Sequence, residues 1–175
     1  IVVKRIGLMS ILQWASSNNL NLWNGDCKSA FLQGKPDLER PQKIYMRVPQ
    51  DGIALAAVPE WNVDRNQLYV LHAPVYGQAN APRQWFLHVL DVMNRLNWVQ
   101  HSLDPCVFLY KNSENVVTAV LGIHVDDIIA CSLFEDDGVL MEVKASFSWG
   151  GPWEKNDFVF VGRRIVKHDD GQITF

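Results

Sequence analysis

VVTAVLGIHVDDIIAC, residues 116–131, is a mainly apolar run that is broken by two adjacent carboxylates, Asp126 and Asp127. β-branched residues on both sides of a short polar break are typical of two strands joined by a turn. The preceding residues Cys106–Lys111 form a similar run, and the polar residues 112–115 follow it. We therefore predict a series of antiparallel strands in this part of the chain.

Asp126 and Asp127 are the residues of this stretch that suggest chemistry. Two adjacent carboxylates in apolar surroundings repel each other and lose solvation, so ionising both is costly. A divalent cation removes that cost, and Mg²⁺ prefers one or two carboxylates together with phosphate oxygens and water. The alternative is a plain turn, in which Asp is a common residue.

Asp26 supplies a third candidate carboxylate. It follows Leu20–Trp23, whose alternating pattern predicts a strand. If that strand pairs beside the hairpin, the three carboxylates meet, and they could hold two Mg²⁺ ions about 3.5–4 Å apart for in-line phosphoryl transfer. The alternative for Asp26 is a helix N-cap that accepts hydrogen bonds from backbone donors near Ser29.

The remaining pattern predicts an α+β fold, an antiparallel sheet with helices packed on one face. Apolar spacing and a proline at a helix start predict helices at Ile6–Ala15, from Pro82 to Leu96 and at Leu140–Phe147. Alternating segments predict strands at Lys43–Val48, Phe158–Val166 and Gln172–Phe175, and Gln50–Asn66 is the longest predicted loop.

Composition limits the class of protein. The chain has 175 residues, suits one domain and is 48% hydrophobic, which is enough for a core. Its 16 basic and 19 acidic residues give a net charge of −3, so any affinity for nucleic acid must come from a local basic patch. The three cysteines lack CxxC spacing, which favours a reducing compartment. We find neither a signal peptide nor an apolar stretch of the roughly 20 residues that span a bilayer.

Several segments, in order along nearly the whole chain, resemble motifs of copia-type LTR retrotransposon reverse transcriptases. Trp23–Gly34 resembles LDVKTAFLNG, Ile44–Pro49 resembles VYMEQP, and Val75–Trp85 resembles LYGLKQAPRAW. Asp104–Phe108 is similar to DPCLF, His124–Ile129 to YVDDII, and Phe158–Gly162 with Asp170-Gly171 to the FLG…DG ending. One such segment is weak evidence, but their shared order is specific.

The resemblance implies a right-hand polymerase fold with fingers and palm. Residues 1–175 are expected to be a single partial reverse transcriptase domain that lacks the thumb and RNase H. The implied activity is RNA-directed DNA polymerisation, in which nucleotides are added to a primer 3′ end. The implied catalytic residues and metal ligands are Asp26, Asp126 and Asp127, which would hold two Mg²⁺ ions, with Mn²⁺ as a substitute.

The resemblance also assigns binding residues. Phe31 and Asn80 are expected at the incoming nucleotide, where the Phe31 ring would exclude a 2′-hydroxyl; the alternative for Phe31 is an ordinary core aromatic. A second group is expected to bind the primer strand, and the alternative for it is an edge strand with protective charges. That group is Phe160, Val161, Gly162, Arg163 and Arg164.

Implied partners are an RNA or DNA template with its primer, deoxynucleoside triphosphates, and the integrase and RNase H of the same polyprotein. The implied location is an intracellular, cytoplasmic virus-like particle, with no membrane contact and no secretion. His124 replaces the family's Tyr, and Asn80 replaces a Gln. These departures leave an inactive relic or a nucleic-acid-binding module as the alternative. A metal-dependent hydrolase with the same carboxylates is a third hypothesis, unsupported by any hydrolase or Walker motif.

Overall fold

The computed structural model describes residues 2–36, 42–48, 64, 66–134 and 138–175. Its helices are α1 Arg5–Ser17, α2 Ala81–Arg95 and α3 Gly138–Ser146, and a short 3-10 helix spans Ala30–Gln33. The proline near the start of α2 lies in the first turn, where its missing N–H is tolerated. The three predicted helices are therefore confirmed. None of the described helices has the length and apolar character needed to cross a membrane.

The strands of the described residues form three antiparallel sheets. They are β1 Trp23–Asp26, β2 Tyr45–Arg47, β3 Leu68–Val70, β4 Val99–Gln100, β5 Val107–Lys111, β6 Val117–His124, β7 Asp127–Ser132, β8 Glu154–Lys155, β9 Asp157–Phe160, β10 Arg163–Lys167 and β11 Ile173–Thr174. The main sheet is 6-stranded, in the order β4-β5-β6-β7-β1-β8. β9, β10 and β11 form a 3-stranded sheet, and β2 pairs with β3. The predicted hairpin around Asp126-Asp127 is confirmed as β6 and β7.

Both faces of the main sheet are buried. Leu121, Ile123 and Ile128 belong to one core, which also contains buried residues of α2 and α3. Val120 and Ile129 belong to a second core, which contains buried residues of α1, β9 and β10. Successive side chains of a strand point to opposite faces, so the nearly continuous apolar residues of β6 and β7 require a cover on each side.

The prediction of helices on one face only is therefore wrong. α1 lies on the face opposite α2 and α3, as their separate cores show. α1 can approach β6 closely at Gly122, because a Cβ added there would lie only 2.6 Å from Ile11 Cδ1. An apolar run without alternation is the pattern of a strand that is buried on both sides, and it was the signal for this arrangement.

Other boundaries differ from the prediction. Phe158–Val166 is not one strand but the two strands β9 and β10, which pair as a hairpin. The strand predicted at Leu20–Trp23 begins at Trp23 and continues to Asp26. The predicted loop Gln50–Asn66 lies outside the described residues apart from positions 64 and 66.

Asp104, in the segment that resembles DPCLF, joins α1 to the main sheet. Its side chain is 2% exposed. Oδ2 accepts a hydrogen bond from the Lys4 backbone N–H at 2.8 Å, and Oδ1 accepts one from the Cys106 N–H at 3.1 Å. A buried carboxylate that satisfies backbone donors at a helix start fixes α1 against β5.

Candidate functional site

The predicted carboxylates lie at one end of the main sheet. β1 pairs with β7 so that Asp26 and Asp127 are direct cross-strand partners. Asp126 lies in the turn between β6 and β7, and its carbonyl oxygen accepts a hydrogen bond from the Cys27 N–H at 2.8 Å. The prediction that the strand before Asp26 pairs beside the hairpin is confirmed, and the N-cap alternative is wrong. The residue that caps the following 3-10 helix is Ser29.

The β6–β7 turn has an unusual backbone. His124 pairs with Asp127, so the turn has Val125 and Asp126 at its centre, and Val125 has φ 60°. A positive φ at the first central position is typical of a type II′ hairpin turn, where glycine is preferred. For a β-branched residue this conformation is strained. The indole N–H of buried Trp85 donates to the Val125 carbonyl oxygen at 2.6 Å and holds the turn.

The three aspartates influence one another's ionisation. Burial raises the pKa of Asp127 to about 6, and the negative charges of Asp126 and Asp26 contribute to that rise. Partial burial also raises the pKa of Asp26, and the negative charge of Asp126 adds a smaller rise. Asp26 is nonetheless exposed to solvent over much of its surface. Burial lowers the pKa of the neighbouring His124. A site that carries several mutually repelling carboxylates favours a cation chemically.

Metal ligation itself stays a prediction. Among the residues that the structure describes, no group of three His, Cys, Asp or Glu side chains is arranged to hold a metal ion. The donor chemistry nonetheless fits a hard divalent cation, because Asp26, Asp126 and Asp127 offer only carboxylate oxygens at one sheet end.

The turn between β9 and β10 reaches the same sheet end. Phe160 pairs with Arg163, and the central residues Val161 and Gly162 have φ 53° and 74°, the pattern of a type I′ turn. The Val161 backbone N–H donates a hydrogen bond to Asp127, which lowers the pKa of that carboxyl against the larger effect of burial. The structure thus brings part of the predicted primer-binding segment into contact with a predicted catalytic residue.

The other primer-binding candidates differ in exposure. Phe160 is buried at 1% exposure, and its ring lies edge-on to His124 with the centroids 6.3 Å apart. Arg163 and Arg164 are exposed. The Arg164 guanidinium donates to both carboxylate oxygens of Asp157, at 2.8 and 2.7 Å. Of this segment, the turn and the arginines are accessible to a ligand, whereas Phe160 is a core residue.

The nucleotide-binding candidates lie near the start of α2. Phe31 is half-buried in the 3-10 helix, and its ring contacts exposed Tyr76 with centroids 4.8 Å apart. That 3-10 helix packs against α2, whose N-cap residue is Asn80. Asn80 and Gln78 also line a cavity of about 330 Å³ beside β2 and β3. Phe31 packs partly against the core, as its alternative predicted, and the nucleotide contacts stay predictions.

Sequence reasoning missed one segment of the site. Residues 148–153 lie against Asp26, and the Gly150 N–H donates to the Asp26 carbonyl oxygen at 2.8 Å. The sequence contained a local signal, since Gly150-Gly151-Pro152 predicts a turn. Nothing in the sequence linked that turn to a residue more than a hundred positions earlier.

Comparisons with known proteins show the family of the chain. The family described as "Reverse transcriptase (RNA-dependent DNA polymerase)" matches residues 2–149. The retrovirus-related Pol polyprotein from transposon TNT 1-94 of Nicotiana tabacum is 32% identical over 147 residues, which are 84% of this chain and 10% of the relative. The chain therefore spans about a tenth of the length of that relative. No solved structure matches this chain significantly.

The family match covers most of the chain and includes all three aspartates. The similarity to a Pol polyprotein of a plant transposon extends over nearly the same share. The chain belongs to the reverse transcriptase family, as a copia-type retrotransposon reverse transcriptase domain.

Proposed function

We propose that this chain is the fingers and palm of an RNA-directed DNA polymerase that adds deoxynucleotides to a primer 3′ end. The observation that carries the proposal is the pairing of Asp26 with Asp127 beside the strained turn that holds Asp126. Two strands and a turn then bring three aspartates to one end of the sheet, and carboxylates are ligands that two-metal phosphoryl transfer can use.

Asp26, Asp126 and Asp127 would hold two Mg²⁺ ions, which Mn²⁺ can replace. Bound ions would activate the primer hydroxyl and neutralise charge on the triphosphate. The protein's own contribution is to orient the carboxylates. Trp85 holds the β6–β7 turn through the Val125 carbonyl, and the Val161 N–H holds Asp127.

The binding roles are proposed from the family resemblance. The β9–β10 turn would lie along the primer strand, with Gly162 allowing close approach and Arg163 and Arg164 contacting phosphates. Phe31 would lie beneath the incoming sugar, and Asn80 would contact the nucleotide. The template with its primer, the triphosphates, and the integrase and RNase H of the polyprotein are the proposed partners. Location in a virus-like particle rests on the resemblance alone.

The test is Asp126→Asn in the full-length polyprotein, assayed for Mg²⁺-dependent primer extension. The amide keeps the side-chain shape but removes the charge, so extension should fall about a thousandfold or more. Asp169→Asn, an exposed aspartate beyond β10, is the matched control and should extend normally. Undiminished extension by the Asp126→Asn protein would rule out the proposed site.

The alternative is an inactive relic that still binds nucleic acid. It is favoured by the His124 and Asn80 departures from the family motifs. The same assay separates the two functions. Wild-type protein that binds primer–template without extending it would support the binding module.

A further inference from the structure

The segment Ser148–Trp153 forms one side of the Asp26 position. The backbone of Cys27 pairs with that of Trp149 in an isolated antiparallel β-bridge. The Lys28 N–H donates a hydrogen bond to the Ser148 carbonyl oxygen at 2.9 Å. Gln33 ties the two segments through its side chain, which donates to the Ser148 carbonyl at 3.0 Å and accepts from the Ser148 N–H at 2.9 Å. The segment is therefore fixed to the backbone on the C-terminal side of Asp26.

Gly150 faces the Asp26 carboxylate. Its N–H donates to the Asp26 carbonyl at 2.8 Å, and a Cβ added at Gly150 would lie 2.5 Å from Asp26 Oδ2. That distance is well inside the roughly 3.5 Å optimum for non-bonded heavy atoms. Any side chain at position 150 must displace the carboxylate, because Oδ2 is the free end of a short side chain and the backbone is held by hydrogen bonds.

Trp153 packs against the strand that carries Asp26. Its indole ring covers Gly25, where an added Cβ would collide with Nε1 and lie 2.6 Å from Cδ1. Trp153 also packs edge-on against Trp149, with centroids 4.9 Å apart. Trp153 therefore packs against the β1 backbone at Gly25, the residue that precedes Asp26.

We propose that Gly150 is a positioning residue, which leaves space for the Asp26 carboxylate to point toward Asp126 and Asp127. The inference rests on the proposed function, since it matters only if Asp26 is a cation ligand. Gly150 touches neither nucleotide nor cation in this proposal. It acts through the orientation of Asp26, and groups that orient ligands change cation affinity about 10–100-fold when altered.

The chain offers a matched pair of variants for the test. Neither Gly150 nor Gly151 has a positive φ, so alanine fits the backbone at both positions. An added Cβ at Gly151 meets nothing within 4 Å. Gly150→Ala therefore adds one methyl group against Asp26, and Gly151→Ala adds the same group to open space.

The full-length polyprotein and its variants are titrated with Mn²⁺ alone, and electron paramagnetic resonance measures the bound ion. Primer extension is then measured as a function of the Mg²⁺ concentration and of the nucleotide concentration. We expect Gly150→Ala to weaken Mn²⁺ binding and to raise the half-saturating Mg²⁺ about tenfold or more. The nucleotide KM and the melting temperature should stay near wild type, and Gly151→Ala should match wild type throughout.

A double-mutant cycle with Asp26→Asn shows whether Gly150 acts through that carboxylate. Once the charge is gone, Gly150→Ala should have no further effect on Mn²⁺ affinity. Equal Mn²⁺ affinity in the Gly150→Ala and Gly151→Ala proteins, or an undiminished effect in the Asp26→Asn background, overturns the positioning role. Wild-type protein that binds Mn²⁺ without extending a primer overturns the proposed polymerase, and the Mn²⁺ comparison then still decides the role of Gly150. Wild-type protein that binds no Mn²⁺ overturns both.

Discussion

The β6–β7 turn and the β9–β10 turn each hold a valine in the left-handed backbone region, Val125 with φ 60° and Val161 with φ 53°. Both turns contribute to the surroundings of Asp127. They differ in what holds them. Val125 is half-buried and is fixed by the indole of Trp85, a helix residue of the core. Val161 is 41% exposed, in a short hairpin that an exposed Arg164–Asp157 pair flanks.

The difference shows two ways to maintain a strained conformation. Strained residues persist only where the surrounding structure determines them. At Val125 a partly buried hydrogen bond from a helix residue supplies that constraint, whereas at Val161 the ladder of the hairpin supplies it together with the exposed turn's bond to Asp127. We therefore expect the first turn to be sensitive to distant core changes and the second to respond mainly to local ones.

The largest expected effect comes from Trp85→Phe, which removes the indole donor from the Val125 carbonyl and keeps an aromatic ring. We expect a loss of about 2–4 kcal/mol in the free energy of unfolding, from the unpaired carbonyl and the lost ring volume. Urea unfolding measures it. Trp98→Phe is the matched control, because Trp98 is 2% exposed and its indole N–H has no hydrogen-bond partner among the described residues. Equal losses in the two variants would show that the bond to Val125 contributes nothing.

An intermediate effect of opposite sign is expected from Val161→Asn. Asparagine tolerates the left-handed region, and Asn-Gly is the preferred pair for a type I′ turn. The free energy of unfolding of the variant should rise by about 1 kcal/mol, which corresponds to a rise of about 2–4 °C in the melting temperature. Val159→Asn, on β9 just before the turn and without a positive φ, is the control and should not gain stability. A fall in the melting temperature of Val161→Asn would mean that the valine side chain contributes more than its strain costs.

The smallest expected effect is that of Arg164→Ala. The side chains of Arg164 and Asp157 are 70% and 50% exposed, and solvent screens such pairs. Thermal melts at low and high salt should be indistinguishable from wild type. A clear loss of stability that disappears at high salt would mean that this pair holds the β9–β10 turn, and the contrast between the two turns would then be one of degree.

The sequence predicted the first turn well and the second poorly. Two adjacent carboxylates between apolar runs interrupt the pattern of a strand and of a helix, so the turn at Asp126 was predicted directly. At Val161-Gly162 the flanking residues continue the strand pattern, and a β-branched residue is the least expected one in a left-handed position. The two strands were therefore predicted as one, although Gly162 was among the predicted primer-binding residues.

Long-range features were predictable only where a motif carried them. The pairing of Asp26 beside the hairpin was predicted, because the family resemblance brings these residues together. The contacts of Gly150 and Trp153 with the strand that ends at Asp26 had no such guide, since hydrophobic periodicity carries information about neighbours along the chain and none about distant partners. The burial of both sheet faces could have been predicted from the nearly continuous apolar residues of β6. The prediction of helices on one face did not take that pattern into account.

The position of β1 in the main sheet has a consequence for synthesis on the ribosome. β1 lies between β7 and β8, so both of its neighbours are made about 100 residues later or more. At 5–20 residues per second, the strand that carries Asp26 emerges about 5–20 s before β7. During that interval its backbone donors and acceptors lack their sheet partners, and such unpaired strands are open to contact with other chains. Completion of the carboxylate cluster is thus a late event in vectorial folding, and a nascent chain stopped before β7 would contain Asp26 without the partner opposite it.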